Sequence, residues 1–470
     1  MKFLNSKHFD SSFWALLISI LIVINLNYNY AHWKGEKSVI LNEIKSYYGY
    51  LPAAFIYDDI SLEFTRSNPE LRSKFWRTET PIGKYVLRTS CGMAMLYLPF
   101  FTAAHIAAEP LGYSTSGYSL PYRIALVISS VFYLLLGAIF LRKFLLKYFS
   151  SNVVAITLIT IILATNLLRY VTIEAAMSHA YSFTLISIFL FVIDNWYKKK
   201  SIKNTIFVGL LVGIISLIRP TNIVIVLLLV LWKVTTWEEL KIRILFLLNK
   251  WYLVLLMILM FLMVWSPQFI YWKHVSGSFL FYSYPEDQSF FFSNPQLFST
   301  LFSWRKGFFI YTPVMIFAFI GIGLLYKNKK YFFWPVIIYF LVSWYIMSSW
   351  WSWWYGGSLG QRPFIDSYGV FSIGLAMFLT WLTKLKPISK TILIIIFLLS
   401  ASLGAWHTAR YRGGSIHWNS MTKEAYFDSF WSKKPSAEWY KKIRKPDSKL
   451  AKKGIYRYAD ESEENSSSNK

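Results

Sequence analysis

Loops in this 470-residue chain alternate between two chemistries, and that alternation decides what the chain can fold into. Apolar stretches, the longer ones near the ~20 helical residues that cross a bilayer core, are separated in turn by two kinds of connection. One kind is lysine-rich; the other holds aromatics, carboxylates and isolated arginines. Lys and Arg in short connections mark the cytoplasmic side of a membrane. The other loops then face outward, and every pattern with chemical potential lies in one of them. Composition agrees. Residues that are 55% hydrophobic and only 16% charged, against roughly 25% charged in soluble domains, cannot solvate a core of this size.

The apolar segments 12–28, 121–141, 152–168, 179–196, 205–218, 223–233, 251–270, 308–326, 331–348, 367–383 and 391–406 predict an all-α membrane protein. It is a polytopic bundle of about 11 spans, with 10–13 compatible. An inside N-terminus makes loops 142–151, 197–204, 234–250, 327–330 and 384–390 cytoplasmic, and each is basic. The parity requires 86–108, interrupted by Cys91, His105 and Glu109, to re-enter or lie along the outer surface; a pair of spans there is the alternative. The apolar stretch Phe13–Leu26 lacks a following small-residue cleavage site and reads as an uncleaved first span. Two regions result: a transmembrane domain over 1–406, with a structured first external loop of juxtamembrane helices at 29–120, and a polar extracytoplasmic tail over 407–470. The tail is expected to be partly ordered to about 440 and disordered beyond, toward its Ser/Glu/Asn-rich end.

A net charge of +25 would suit nucleic acid if it were gathered on one face, but here it is dispersed in small clusters between apolar runs. Such clusters set topology and meet anionic lipid headgroups, so membrane lipids are the expected partners and nucleic acid is not. One cysteine excludes an intrachain disulfide and a multi-thiolate metal site. There is no P-loop, no Gly-x-Gly-x-x-Gly before a helix, no His-Glu-x-x-His and no Gly-x-Ser-x-Gly. A nucleotide-fuelled cytoplasmic enzyme is therefore disfavoured.

Glu43, Tyr47 and Tyr50 share a helical face by their i, i+4, i+7 spacing. A carboxylate there can take a proton from a hydroxyl, ligate a hard divalent cation such as Mg or Mn, or simply face water. Asp58 and Asp59 are paired carboxylates able to share a proton or metal, or an acidic turn. Arg219, Arg305 and Arg362 are isolated guanidiniums able to hold phosphate bidentately. Snorkelling to the interface is the plain reading of Arg305 and its neighbour Lys306. Arg219-Pro-Thr-Asn222 also breaks two short apolar segments, which places an ionisable group at a depth where it usually faces a polar cavity. His179 opens a span as a cap or a catalyst. Trp354 belongs to a tryptophan-rich run that reads as an interfacial belt or a platform for a sugar ring.

Several segments resemble the bacterial members of the GT-C glycosyltransferase superfamily, which includes protein O-mannosyltransferases and aminoarabinose transferases. They are Glu43-Ile-Lys-Ser-Tyr-Tyr-Gly-Tyr-Leu-Pro52, Thr80-Pro-Ile-Gly83 and Tyr97-Leu-Pro-Phe-Phe101. Ser178-His-Ala-Tyr-Ser-Phe183, Leu217-Ile-Arg-Pro-Thr-Asn222 and Phe302-Ser-Trp-Arg-Lys-Gly-Phe-Phe-Ile-Tyr-Thr-Pro313 follow, and the run ending Gly-Gly-Ser-Leu-Gly-Gln-Arg-Pro-Phe-Ile-Asp366 closes the set. The resemblance implies an enzyme of the bacterial inner membrane with its site facing the periplasm or exterior. Such an enzyme takes a sugar from a polyprenyl-phosphate donor and gives it to an extracytoplasmic glycan, lipid or protein. It implies Glu43 as the catalytic carboxylate, where relatives more often carry aspartate, with Asp58 and Asp59 as substitutes. Lys84, Arg219, Arg305 and Arg362 would hold the lipid phosphate, Lys84 standing in for a lysine that relatives place before the loop proline. Tyr47, Tyr50, His179, Trp354 and Gln361 would line the substrate site. A glycan ligase using a lipid-pyrophosphate donor, a lipid-linked-sugar flippase and a catalytically inactive scaffold are the rival readings.

Overall fold

The computed structural model describes residues 9–36 and 38–460; Lys2, Lys7 and the low-complexity end after 460 lie outside the described residues. In chain order come α1 (Ser11–Tyr30), α2 (Ile44–Phe55), α3 (Pro69–Lys74), the strands β1 (Arg77–Glu79) and β2 (Tyr85–Leu87), α4 (Gly92–Ala108) and α5 (Leu120–Leu145). Then follow α6 (Ser151–Leu163), α7 (Leu167–Tyr170), α8 (Ser178–Lys198), α9 (Ile202–Ile218), α10 (Ile225–Leu231), α11 (Trp237–Asn249) and α12 (Trp251–Ser276). The remainder holds α13 (Leu297–Phe302), α14 (Phe308–Tyr311), α15 (Met315–Asn328), α16 (Lys330–Ser348), α17 (Tyr368–Leu382) and α18 (Pro387–Gly413). Three short helices end it: α19 (Lys423–Asp428), α20 (Trp439–Lys442) and α21 (Ser448–Ala451).

Among the described residues seven helical stretches are long and apolar enough to cross a membrane: Ser11–Lys34, Leu120–Leu145, Ser178–Lys198, Trp251–Ser276, Lys330–Ser348, Arg362–Leu382 and Pro387–Gly413. Gly92–Ala108, Ser151–Leu163, Ile202–Ile218, Pro220–Leu231 and Met315–Asn328 are apolar but shorter. Their surfaces need lipid. Only 11% of the most apolar stretch of α18 is buried, and Ile388, Ile392, Ile395 and Leu399 form an exposed stripe along it. Water does not tolerate a continuous apolar face of that size, whereas a helix satisfies its own backbone within hydrocarbon. The chain is a helical membrane protein.

The chain forms two compact units, one of residues 20–144 and 170–285, the other of residues 1–19, 145–169 and 286–470. In the first, α9 packs on α12 through Gly209 and Gly213. A Cβ on Gly209 would lie 2.6 Å from the Met257 carbonyl oxygen, and one on Gly213 would lie 2.9 Å from the Val264 Cβ. Glycines four apart let two membrane helices meet at backbone distance. At the other end of α8, the fully buried Asp194 takes Lys233 Nζ at 2.8 Å and Lys198 Nζ at 3.5 Å. Lys233 adopts a left-handed backbone (φ +59°) in the turn that presents it. Removing Lys233, the closer partner, leaves this buried carboxylate with the longer Lys198 contact and its charge less well compensated. Lys233→Met should therefore lower stability by about 3 kcal/mol, read as a drop in the thermal midpoint of the detergent-solubilised protein; an unchanged midpoint would remove this pair from the account.

The segment between α2 and α4 carries a hairpin in addition to the expected helices. β1 and β2 pair antiparallel, Arg77 opposite Leu87 and Glu79 opposite Tyr85. Pro81 sets the turn, and Gly83, at φ +79°, closes it by donating its amide to the Thr80 carbonyl. Thr80 Oγ1 donates to the Val275 carbonyl at 2.7 Å and the Tyr271 hydroxyl accepts from the Leu87 amide at 2.9 Å, which pins the loop to the end of α12.

In the second unit, Arg362–Leu382 is the centre, 89% buried. The chain after α18 folds back as structure. Ile416, Met421, Ala425, Tyr426 and Trp439 form one apolar cluster with Tyr311 and Leu359. Ala451 and Tyr456 pack with Trp351, Trp353 and Trp354, and Pro446 bridges to Tyr458.

Candidate active site

In the first unit, the opening turn of α8 is a hub. Ser178 Oγ meets the Tyr47 hydroxyl at 3.2 Å. His179 Nδ1 lies 3.0 Å from Arg219 Nη1, and Ser182 Oγ accepts from Asn222 Nδ2 at 3.3 Å. Two distant segments, α2 and the Arg219–Asn222 break, thus converge on residues i, i+1 and i+4 of one helix. Guanidinium only donates, so His179 must accept at Nδ1 and carry its proton on Nε2. That bond orients the Arg219 side chain.

Local backbone explains why each group sits there. α9 ends at Ile218 because Arg219 is extended (φ −146°, ψ 110°) and Pro220 follows, opening a 3-10 turn over Pro220–Val224. Gly92, at the start of α4, abuts that end: a Cβ would lie 2.6 Å from the Ile218 nitrogen and from the Leu217 carbonyl carbon. Ser90 Oγ also donates to the Leu217 carbonyl. Gly92→Ala should therefore displace the residues that carry Arg219, cost about 1–3 kcal/mol as overpacking does, and reduce activity more than a remote substitution of equal cost. Equal activity losses would show that the contact serves stability alone.

Glu43 caps α2, which follows Asn42 in a left-handed conformation (φ +49°) that asparagine tolerates. Its carboxylate is half-buried, and its carbonyl accepts from Ser46 and Tyr47. Tyr284, in the loop after α12, reports the company around it. Burial raises the Tyr284 hydroxyl pKa well above its ordinary value, the phenol of Tyr47 and the carboxylate of Glu43 raise it further, and Arg219 opposes them. Carboxylate, two phenols and guanidinium therefore share one electrostatic neighbourhood.

Other expected residues are engaged elsewhere. The Tyr50 hydroxyl donates to the Thr89 carbonyl at 2.6 Å, and its ring meets Tyr271 edge-on. Asp58 is exposed in a left-handed turn (φ +49°). Asp59 accepts from the Ser61 amide at 2.8 Å, the Ser61 hydroxyl at 2.5 Å and the Phe64 amide at 3.3 Å. Burial acts to raise its pKa, but these donors outweigh burial and hold it below the usual carboxylate value. Lys84 Nζ donates to the His274 carbonyl at 3.2 Å, near the C-terminal end of α12, where a cation meets the helix dipole favourably.

The second unit holds a separate set. The Arg305 guanidinium lies 5.3 Å from the Trp354 ring and 4.8 Å from the Tyr458 ring. Lys306 is almost wholly buried and donates to the carbonyls of Ser358 and Trp418. Arg169 and Lys306 both face the Tyr411 ring, at 4.1 and 5.8 Å. Gln361 Nε2 holds the Trp353 carbonyl at 3.0 Å, and Asn166 Nδ2 holds that of Leu359 at 2.9 Å. The tryptophan-rich loop is thus fixed by side chains bonded to its backbone, around a positive-φ pair at Tyr355 and Gly356. Among the described residues of this unit Arg169, Arg305, Lys306, Arg362 and Arg410 are buried, against one buried carboxylate, Asp366. Such an excess of buried cations suits an anionic ligand.

Sequence reasoning passed over Ser178 as a contact, Tyr284, Asn222 and Arg169, and treated Lys306 as a snorkelling residue. Ser178, Asn222 and Lys306 were signalled only by nearness to His179, Arg219 and Arg305, and Tyr284 and Arg169 by nothing local. Among the described residues no three His, Cys, Asp or Glu side chains group closely enough to hold a metal ion.

No family model matches the sequence, and no curated protein matches it. Solved structures align with the chain, among them two from Archaeoglobus fulgidus. One is the Archaeoglobus fulgidus oligosaccharyltransferase in its apo form, at TM-score 0.48 and 12% identity, over 85% of this chain and 57% of that one. The other is the archaeal oligosaccharyltransferase AglB from Archaeoglobus fulgidus in complex with an inhibitory peptide and a dolichol-phosphate, at TM-score 0.48 and 11% identity, over 90% and 59%. The chain spans less than three-fifths of the length of each.

Proposed function

We propose that this protein is a membrane glycosyltransferase that moves a sugar from a polyprenyl-phosphate donor to an extracytoplasmic glycan, lipid or protein acceptor. The observation that carries the reading is the hub on α8, which ties Tyr47, one turn after Glu43, and Arg219 to adjacent residues of one helix. The alternating loop chemistry supports an inside N-terminus and about 11 spans. It also supports a site on the outer face of a bacterial inner membrane.

Glu43 takes the proton of the acceptor hydroxyl as its oxygen attacks the anomeric carbon. The bond from that carbon to the phosphate oxygen breaks, and polyprenyl phosphate leaves with the electron pair. Arg219, oriented by neutral His179, meets the charge that develops on the leaving phosphate; fixed donors are most effective there because they need no reorganisation. The buried cations Arg305, Lys306 and Arg362 suit the same anion class. Asp58 and Asp59 we assign to the turn after α2, Lys84 to the end of α12 and Tyr50 to packing. Trp354 we assign to packing in the buried cluster with Trp353 and Ala451, and Gln361 to support of the loop.

The test is transfer by purified protein in liposomes containing defined polyprenyl-phosphate sugars. Acceptor-dependent release of polyprenyl phosphate supports the reading. Sugar-lipid crossing the bilayer without acceptor would mark a flippase, and turnover of pyrophosphate donors alone would mark a ligase.

A further inference from the structure

Beside Glu43 the first external loop holds a groove of about 570 Å3, lined by Asn42, Lys45, Pro69, Arg72, Ser73, Phe75 and Trp76. That volume lies within the range of small-molecule sites. The floor is rigid: Phe75 is buried edge-on against Phe64 and Tyr118. One wall is pinned by Lys45 Nζ, which donates to the Ser73 carbonyl at 2.6 Å and keeps two further N–H groups. Trp76 is held by the Arg88 guanidinium, 4.9 Å from its ring. Glu70, two residues from Arg72, is paired to Lys74 at 2.7 Å, and among the described residues neither Lys45 nor Arg72 forms an ion pair.

We propose that this groove binds the acceptor and selects a sugar bearing a negative group, a phosphate or a carboxylate. An indole, an amide and a hydroxyl are the surfaces a sugar ring uses, while two cations and no carboxylate in the lining set the charge it accepts. Asn42, in the lining, is the residue before Glu43, so the groove adjoins the start of α2 where that carboxylate sits. The proposal deepens the glycosyltransferase reading and rests on Glu43 as its base.

The experiment is calorimetric titration of the purified full-length protein with glucose 6-phosphate, glucuronate, glucose and glycerol phosphate. Both acidic sugars should bind, at least about tenfold more tightly than glucose, because charge-assisted hydrogen bonds are the stronger kind. Whichever binds better names the group. Lys45→Gln and Arg72→Gln should each weaken binding and together abolish it, with thermal unfolding unchanged, since Gln can still donate to the Ser73 carbonyl. Glucose binding as well as its phosphate would overturn the proposal, as would an unaffected double variant. Glycerol phosphate binding as tightly as glucose 6-phosphate would also overturn it, because the groove would then read lipid headgroup charge alone. Glu43→Gln separates the two readings. Intact anionic-sugar binding with transfer unaffected in that variant sinks the catalytic assignment and spares the groove; absent binding with transfer abolished does the reverse.

Discussion

Glu43→Gln should reduce transfer by about 10²–10⁴-fold, the usual contribution of a positioned general base, while leaving expression, thermal midpoint and donor binding near those of the parent. The substitution keeps the shape and the backbone amide partners at the start of α2 and removes only the ability to take a proton. The carboxylate is half-buried at the N-cap position of α2 and makes no capping bond to the helix. Glu43→Asp retains a base one methylene shorter, so it should recover part of the activity lost in the Gln variant. Undiminished activity in Glu43→Gln would move the base to another carboxylate, with Asp58 and Asp59 the first to be substituted.

Arg219→Gln should cost about 10²–10³-fold, the loss seen when one preorganised donor to a developing anion is removed. The split between kcat and KM is informative. A contact made only as charge develops lowers kcat; one made equally to the bound donor raises KM. Arg219→Lys should not restore full activity, because the planar guanidinium both reaches His179 Nδ1 and presents parallel donors to phosphate, which an ammonium cannot do. His179→Ala should act in the same direction but less strongly, since it frees Arg219 without removing it. A loss in His179→Ala exceeding that in Arg219→Gln would mean the imidazole has a direct role of its own.

Much of the fold was legible because lipid imposes a simple rule: long apolar runs become helices. The break at Arg219-Pro220 could be read directly, since proline after an extended residue ends a helix. The Gly209 and Gly213 pair was equally visible as a spacing and went unused. Side-chain destinations were harder. Tyr50 shares a helical face with Tyr47 by spacing, yet α2 is buried from Ser46 to Ala53, and a helix packed on all sides gives its periodicity no outward face to report. Lys84 found a helix end 190 residues away, and Lys306 is covered by a carbonyl 112 residues on. Contacts closed over such separations leave no local pattern. Burial of Lys306 depends on the chain after α18 folding back, and polar composition there suggested a loose tail.

The central claim is that the outward carboxylate at position 43 drives removal of a sugar from a lipid phosphate. Mass spectrometry of lipids from cells lacking the protein, complemented with the parent chain or with Glu43→Gln, tests it most directly. The account predicts that a glycosylated polyprenyl phosphate accumulates in the null strain and in the Glu43→Gln strain, and falls to background with the parent chain. Background levels in the Glu43→Gln strain, with accumulation in the null, would contradict it.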